Sequence, residues 1–324
     1  MPRKLRLEFP GAVYHVINRG NYRADIFATA GARAAFMDCL WEVCHKSGWR
    51  LHAFVLMRNH FHLALETPEG NLVAGMQWLQ ATFANRFNRL RAERGHLFQG
   101  RYKALLVQPD EALGQLCHYI HLNPVRAGVV TVARLREFRD SSYWYLEEKE
   151  RPACLDMRAA LVHAGGLADN RRGWKLYAQY LDWQAQEGPA GKSTAYASMS
   201  RGWVLGTAEY KENLITQYGV AADSRAWETQ GKAEIRLHQW ETQLQVALRA
   251  LNRKPRELKQ PPAAQPWKLA IVAFLKERTQ ASNSWLAQTL GLPRPAYISR
   301  LVSLARHQPA TIAEFARLRE QCTT

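Results

Sequence analysis

The segment His60–Glu66, HFHLALE, alternates polar and apolar residues with period two. Close behind it, Leu72, Met76, Leu79, Phe83, Phe87 and Leu90 recur at spacings of four, three, four, four and three. The first pattern specifies a strand with one face in a core, and the second a long amphipathic helix. A chain that places these two elements next to each other must bury the helix stripe against the sheet. Two further strands are expected at Ala12–Arg19 (AVYHVINR) and Trp49–Met57 (WRLHAFVLM), both rich in β-branched and aromatic residues. The Arg58-Asn59 step then closes a tight hairpin with His60–Glu66. Thr29 to Lys46 puts Phe36, Leu40 and Val43 on one helix face, Tyr102–Val107 reads as a fourth strand, and Pro109 to about Asn123 as a helix that Pro124 stops. The order strand, helix, strand, strand, helix, strand, helix is an α+β pattern with an antiparallel sheet.

Charge locates the partner class. The 324 residues carry 44 Lys plus Arg against 28 Asp plus Glu, a formal net charge of +16. Residues 1–150 hold 20 basic and 14 acidic side chains, whereas residues 251–324 hold 12 and 4, so the excess sits at the two ends. An excess of this size points to a polyanion, and nucleic acid is the commonest one. The length suits two or three domains. Breaks are expected near 150 and at the proline-rich stretch 253–266, which separates a mostly helical middle region (151–252) from a C-terminal piece (267–324). No run is apolar enough to span a membrane, the N-terminus lacks the apolar stretch of a signal peptide, and the five scattered cysteines form no C-x-x-C pair. A soluble cytoplasmic protein is the expectation.

In HFH, side chains alternate faces, so His60 and His62 point the same way and Phe61 the other. Tyr119 and Asn123 are four apart and share one face of the helix before Pro124. Were that helix to cross the sheet beside the histidines, a divalent ion could take both imidazoles and the Asn123 amide oxygen, with the phenol one turn away. A phenol with pKa about 10 is a weak nucleophile at neutral pH; a metal that neutralises and orients a phosphate supplies what is missing. The product is a covalent phosphotyrosine that conserves the phosphodiester energy, in keeping with the lack of a G-x-x-x-x-G-K-[ST] nucleotide loop. Cys117 and His121 are also four apart and offer, with the two histidines, a rival zinc set. The two helix faces cannot both meet the sheet, and spacing alone does not choose.

Three segments in order, FVLMRNHFHLALET (54–67), HLFQGRYKALLV (96–107) and HYIHLNPVRAGVV (118–130), resemble the REP-associated tyrosine transposases, relatives of the single-strand insertion-sequence transposases of the HUH superfamily. The resemblance covers roughly residues 5–148 and ends in FRDSSYWY, with Phe138 where Trp is usual. It implies a ferredoxin-like α+β HUH domain over 1–150, Tyr119 as nucleophile, and His60, His62 and Asn123 around Mg²⁺ or Mn²⁺. It further implies cleavage and rejoining of single-stranded, hairpin or palindromic DNA through a 5′-phosphotyrosine, on the nucleoid. A homodimer is one expected state, but relatives act as dimers or as monomers and oligomeric state does not carry over.

Phosphate contacts are expected from Arg86 and Arg89 on the long second helix, where Arg91 and Arg94 follow, and from Arg101 and Lys103 beside the fourth strand, because a guanidinium fork grips phosphate bidentately. Trp174, Trp183, Trp203, Trp227 and Trp240 in the middle region are read as packing residues. After a helix Pro266–Glu277, the segment 282–306 is expected to form a helix-turn-helix: Ala287 allows close crossing, Gly291 suits a turn with positive φ, and Arg294, Ser299 and Arg300 would reach DNA. The alternative function is a non-catalytic DNA-binding regulator derived from such a transposase. An RNA phosphoesterase with two histidine motifs needs two H-x-T or H-x-S segments, and the chain has one, His45-Lys46-Ser47, at the end of the helix expected over Thr29 to Lys46.

Overall fold

A computed structural model of the chain describes residues 7–186, 196, 198–225, 229–260, 265–279, 281–292, 294, 295, 298 and 309–321. They fall into two compact units divided between Thr216 and Gln217.

The first unit is built on β1 (Ala12–Arg19), α1 (Ala30–Ser47), β2 (Arg50–Leu56), β3 (His60–Thr67), α2 (Leu72–Arg91), β4 (Lys103–Val107) and α3 (Glu111–His121). The sheet order is β2-β3-β1-β4-β5, where β5 is the short strand Val204–Leu205. β1 runs antiparallel to both β3 and β4, and β2–β3 is the hairpin turning at Arg58-Asn59, while β5 adds to β4 in parallel. The β-α-β-β-α-β order with β1 and β3 central is the ferredoxin-like arrangement, so the α+β expectation holds.

Period two sorts the faces. Phe61 enters a ring cluster with Phe27, Phe36 and Phe98, and Phe83 of α2 stacks on Phe27, so α1 and α2 cover one face. Gly75 of α2 has no room for a side chain, since a Cβ there would lie 2.1 Å from the buried Trp49 ring. That close approach seats α2 at the start of β2. On the opposite face, α3 packs against β2 and β3.

Helices α4 (Asn123–Arg126), α5 (Arg158–His163) and α6 (Arg171–Gln186) follow, with 3-10 turns at Val132–Glu137, Ser142–Leu146 and Ser198–Ser200. α5 packs on α3, so α3 is enclosed on both sides. The sequence places a break near 150, but residues beyond it supply α5 and β5 to the same compact unit. α7 (Ala208–Arg225) holds the division between the units.

The second unit contains α8 (Thr229–Ala250), α9 (Pro266–Thr279), α10 (Asn283–Leu290) and α11 (Pro309–Gln321). Leu244, Leu248, Trp267, Ile271, Phe274, Leu286, Leu290 and Leu318 form its core. Trp240, expected as a packing residue, packs at a tilt against Trp285 with ring centroids 5.4 Å apart. Ser282 caps α10 by accepting from the Trp285 N–H, and Gly291 ends it at φ +64°, the left-handed conformation expected of that glycine. The second helix expected after Pro293 lies, with Ser299 and Arg300, outside the described residues; so does Trp227. Arg294 is exposed just beyond α10. Among the described residues no helix is long and apolar enough to cross a membrane.

Candidate active site

His60 and His62 stand on the α3 face of β3, with ring centroids 5.2 Å apart. α3 lays Tyr119 against them: its ring centroid is 5.6 Å from that of His62, nearly perpendicular, and 5.9 Å from that of His15. Asn123 opens α4 one turn later and is 92% buried. The helix therefore turns its Tyr119 side to the two histidines.

The rival set does not form. His121 hydrogen-bonds through Nδ1 to the Tyr177 hydroxyl (2.7 Å) and through Nε2 to Ser142 Oγ (2.8 Å). His118 holds the same Tyr177 hydroxyl at 2.9 Å and His163 Nδ1 at 3.0 Å. These side chains join α3 to α5 and α6, away from His60 and His62. Among the described residues no three His, Cys, Asp or Glu side chains are placed to hold a metal ion.

Hydrogen bonds fix which nitrogen of each site histidine carries the proton. Asn59 Nδ2 donates to the Arg23 carbonyl (3.2 Å), so its Oδ1 faces His60 Nδ1 at 2.7 Å and must accept from it. His15 Nδ1 lies 2.7 Å from the Met199 carbonyl oxygen, which can only accept, and His15 Nε2 lies 2.9 Å from His62 Nδ1. Burial, with Lys103 nearby, pulls His15 down to about 4, and burial, with Arg19, does the same to His60; burial and then the charges of its neighbours hold His62 well below the usual imidazole value. All three are neutral at pH 7. His15 Nε2 then accepts from His62 Nδ1–H, and both His60 and His62 are left with an unprotonated Nε2.

Three further groups surround the phenol. The Tyr119 hydroxyl is 3.2 Å from Ser200 Oγ. Arg126 of α4 lays its guanidinium over the Tyr119 ring at 4.9 Å and the Tyr196 ring at 4.5 Å. Lys103 donates to the Ser200 carbonyl at 2.7 Å, so this expected phosphate contact is engaged within the protein. Arg86 is likewise paired with Glu42 at 2.7 Å. Arg89 and Arg101 lie at the surface.

Residues 9–123, little more than a third of the chain, match the family model of IS200-like transposases. Over those residues the chain is similar to the IS200-like transposases. The matched segment, the transposase-like domain, spans β1 to the first residue of α4 and includes all four expected site residues. Arg126, Tyr196, Met199 and Ser200, which also line the site, lie beyond it. Among solved structures, a REP-associated tyrosine transposase bound to a REP hairpin is similar at 16% identity and a TM-score of 0.39, over 46% of this chain and 87% of that one. A transposase candidate from Deinococcus radiodurans is similar at 23% identity and a TM-score of 0.28, over 37% and 95%. No curated protein matches significantly.

Proposed function

We propose that the protein cleaves and rejoins single-stranded, hairpin-forming DNA through a 5′-phosphotyrosine on Tyr119, as a REP-associated member of the tyrosine transposases. The observation that carries the reading is the Tyr119 ring 5.6 Å from His62, beside two neutral imidazoles that each keep an unprotonated nitrogen. That donor chemistry fits a divalent cation, Mg²⁺ or Mn²⁺, held by His60 Nε2, His62 Nε2 and the buried Asn123 amide oxygen. Such an ion, when bound, neutralises charge on the scissile phosphate and orients it for in-line displacement. The Tyr119 oxygen gives up its proton and forms the new bond to phosphorus as the bond to the 3′ oxygen breaks, and that oxygen leaves as a hydroxyl, taking up one proton for the one the phenol released. The reverse attack by a 3′ hydroxyl reseals the strand without nucleotide hydrolysis, because the tyrosyl ester stores the bond. Arg126 places a cation over the phenol ring, where it can meet the phosphate of a bound strand.

Arg89 and Arg101 on the first unit, and Arg294 with Ser299 and Arg300 in a C-terminal helix-turn-helix, would hold the rest of the DNA on the nucleoid. The test is incubation of the full chain with labelled hairpin DNA and Mn²⁺, followed by denaturing electrophoresis. A covalent adduct that disappears in Tyr119→Phe while binding persists is expected; a full adduct in that variant overturns the assignment. Binding with no adduct under any divalent metal would instead mark a non-catalytic DNA-binding regulator.

A further inference from the structure

We propose that His15 is a positioning residue that aims the lone pair of His62 Nε2 at the metal position, and that it does so only because the Ser198–Ser200 turn supplies the Met199 carbonyl. The inference rests on the functional reading above. It adds to the site a group outside the transposase-like domain, since Met199 lies beyond residues 9–123.

His15 lies on the same sheet face as His62, opposite Ala64 and hence diagonal to it across the β1–β3 ladder. It is fully buried, its ring stacks on His62 with 5.2 Å between centroids and 24° between planes, and each of its nitrogens has one polar partner. The opposite tautomer would point the His15 Nδ1 lone pair at the Met199 carbonyl oxygen, acceptor against acceptor at 2.7 Å. It would also send the Nε2 proton of His15 toward His62 Nδ1, move the His62 proton to Nε2, and so block the nitrogen needed as a ligand. One carbonyl thus decides two tautomers in series, the outer-sphere device by which a hydrogen-bonded partner orients a metal-binding imidazole. The turn that provides it is tied down twice more, by Lys103 at the Ser200 carbonyl and by Ser200 Oγ at the Tyr119 hydroxyl. Ligand face and nucleophile are therefore set by the same three residues.

The experiment uses metal-free full-length protein labelled with ¹⁵N-histidine, together with titration of free Mn²⁺ by electron paramagnetic resonance. The wild type is expected to show His62 protonated at Nδ1 and unprotonated at Nε2. His15→Phe should lose that fixed tautomer and bind Mn²⁺ roughly tenfold or more weakly. His15→Gln should recover most of both, because a side-chain amide can donate to Met199 and accept from His62. Folded His15→Phe with unchanged tautomer and unchanged Mn²⁺ affinity overturns the inference; should that variant not fold, a wild-type His62 protonated at Nε2 overturns it on its own. A wild type that binds no Mn²⁺ through His60 and His62 sinks the functional reading instead, and is told apart because the tautomer spectrum is recorded without metal.

Discussion

The hydroxyl of Tyr119 lies 3.2 Å from that of Ser200, a residue 81 positions downstream. The contact fixes the phenol within the site but is a single neutral hydrogen bond, of the kind worth about 1 kcal/mol. Ser200→Ala is therefore expected to leave the fold intact and to slow single-turnover adduct formation about five- to tenfold, with DNA affinity nearly unchanged. A rate equal to wild type would show that the serine does not orient the nucleophile.

Tyr177 bridges the two histidines of α3 that face away from the site. One assignment of protons satisfies every contact: His163 donates to His118, His118 to Tyr177, Tyr177 to His121, His121 to Ser142, and Ser142 to the Phe54 carbonyl, 3.2 Å away. Tyr177→Phe removes the central hydroxyl and leaves two buried imidazole nitrogens unpartnered, at a cost of roughly 2–4 kcal/mol. A urea titration should show the midpoint falling accordingly, while the folded fraction still forms adduct. A change under about 0.5 kcal/mol would mean the network relaxes around the loss.

Acid should unfold the metal-free protein early. Burial holds His121 at about 3 and, with nearby cations, His15 and His60 at about 4, against 6.5 for an imidazole in an unfolded chain. Between those values the unfolded chain binds more protons, so stability is fully present above pH 6.5 and is lost as pH falls toward 4. Each such histidine contributes a slope of about 1.4 kcal/mol per pH unit in that window. Thermal melts from pH 8 to pH 4 should show a plateau and then a steep fall beginning near 6.5; a flat profile down to pH 4.5 contradicts the buried, neutral histidines.

Much of the first unit is legible in the sequence because its elements repeat with clean periods. AVYHVINR is β1 residue for residue, and the Leu72–Leu90 stripe falls within α2. His60 and His62 are readable because two residues of one type at i and i+2 declare their shared face. His15 sits on the same face of the sheet, but its meaning depends on the β1–β3 register and on a carbonyl 184 positions away, neither of which a local pattern encodes. The sequence leaves the zinc alternative open because α3 is enclosed on both sides, so Cys117 and His121 are as buried as Tyr119 is. β5 has no signal in the sequence because two residues are too short to show a period.

Arg126 follows the Asn-Pro-Val step and reaches over Tyr119, with Tyr196 4.5 Å away on its other contact. A guanidinium stacked in this way keeps its N–H edge available for an anion, whereas a lysine in the same place would bring charge without the planar stack. Arg126→Ala is expected to slow adduct formation about tenfold to a hundredfold. It should also lower the salt dependence of DNA binding by about one phosphate contact. Arg126→Lys should restore the salt slope but only part of the rate, because the charge returns and the stacked fork does not. Full recovery of rate by lysine would reduce the role of Arg126 to its charge alone, and no change in either quantity on Arg126→Ala would remove it from the site.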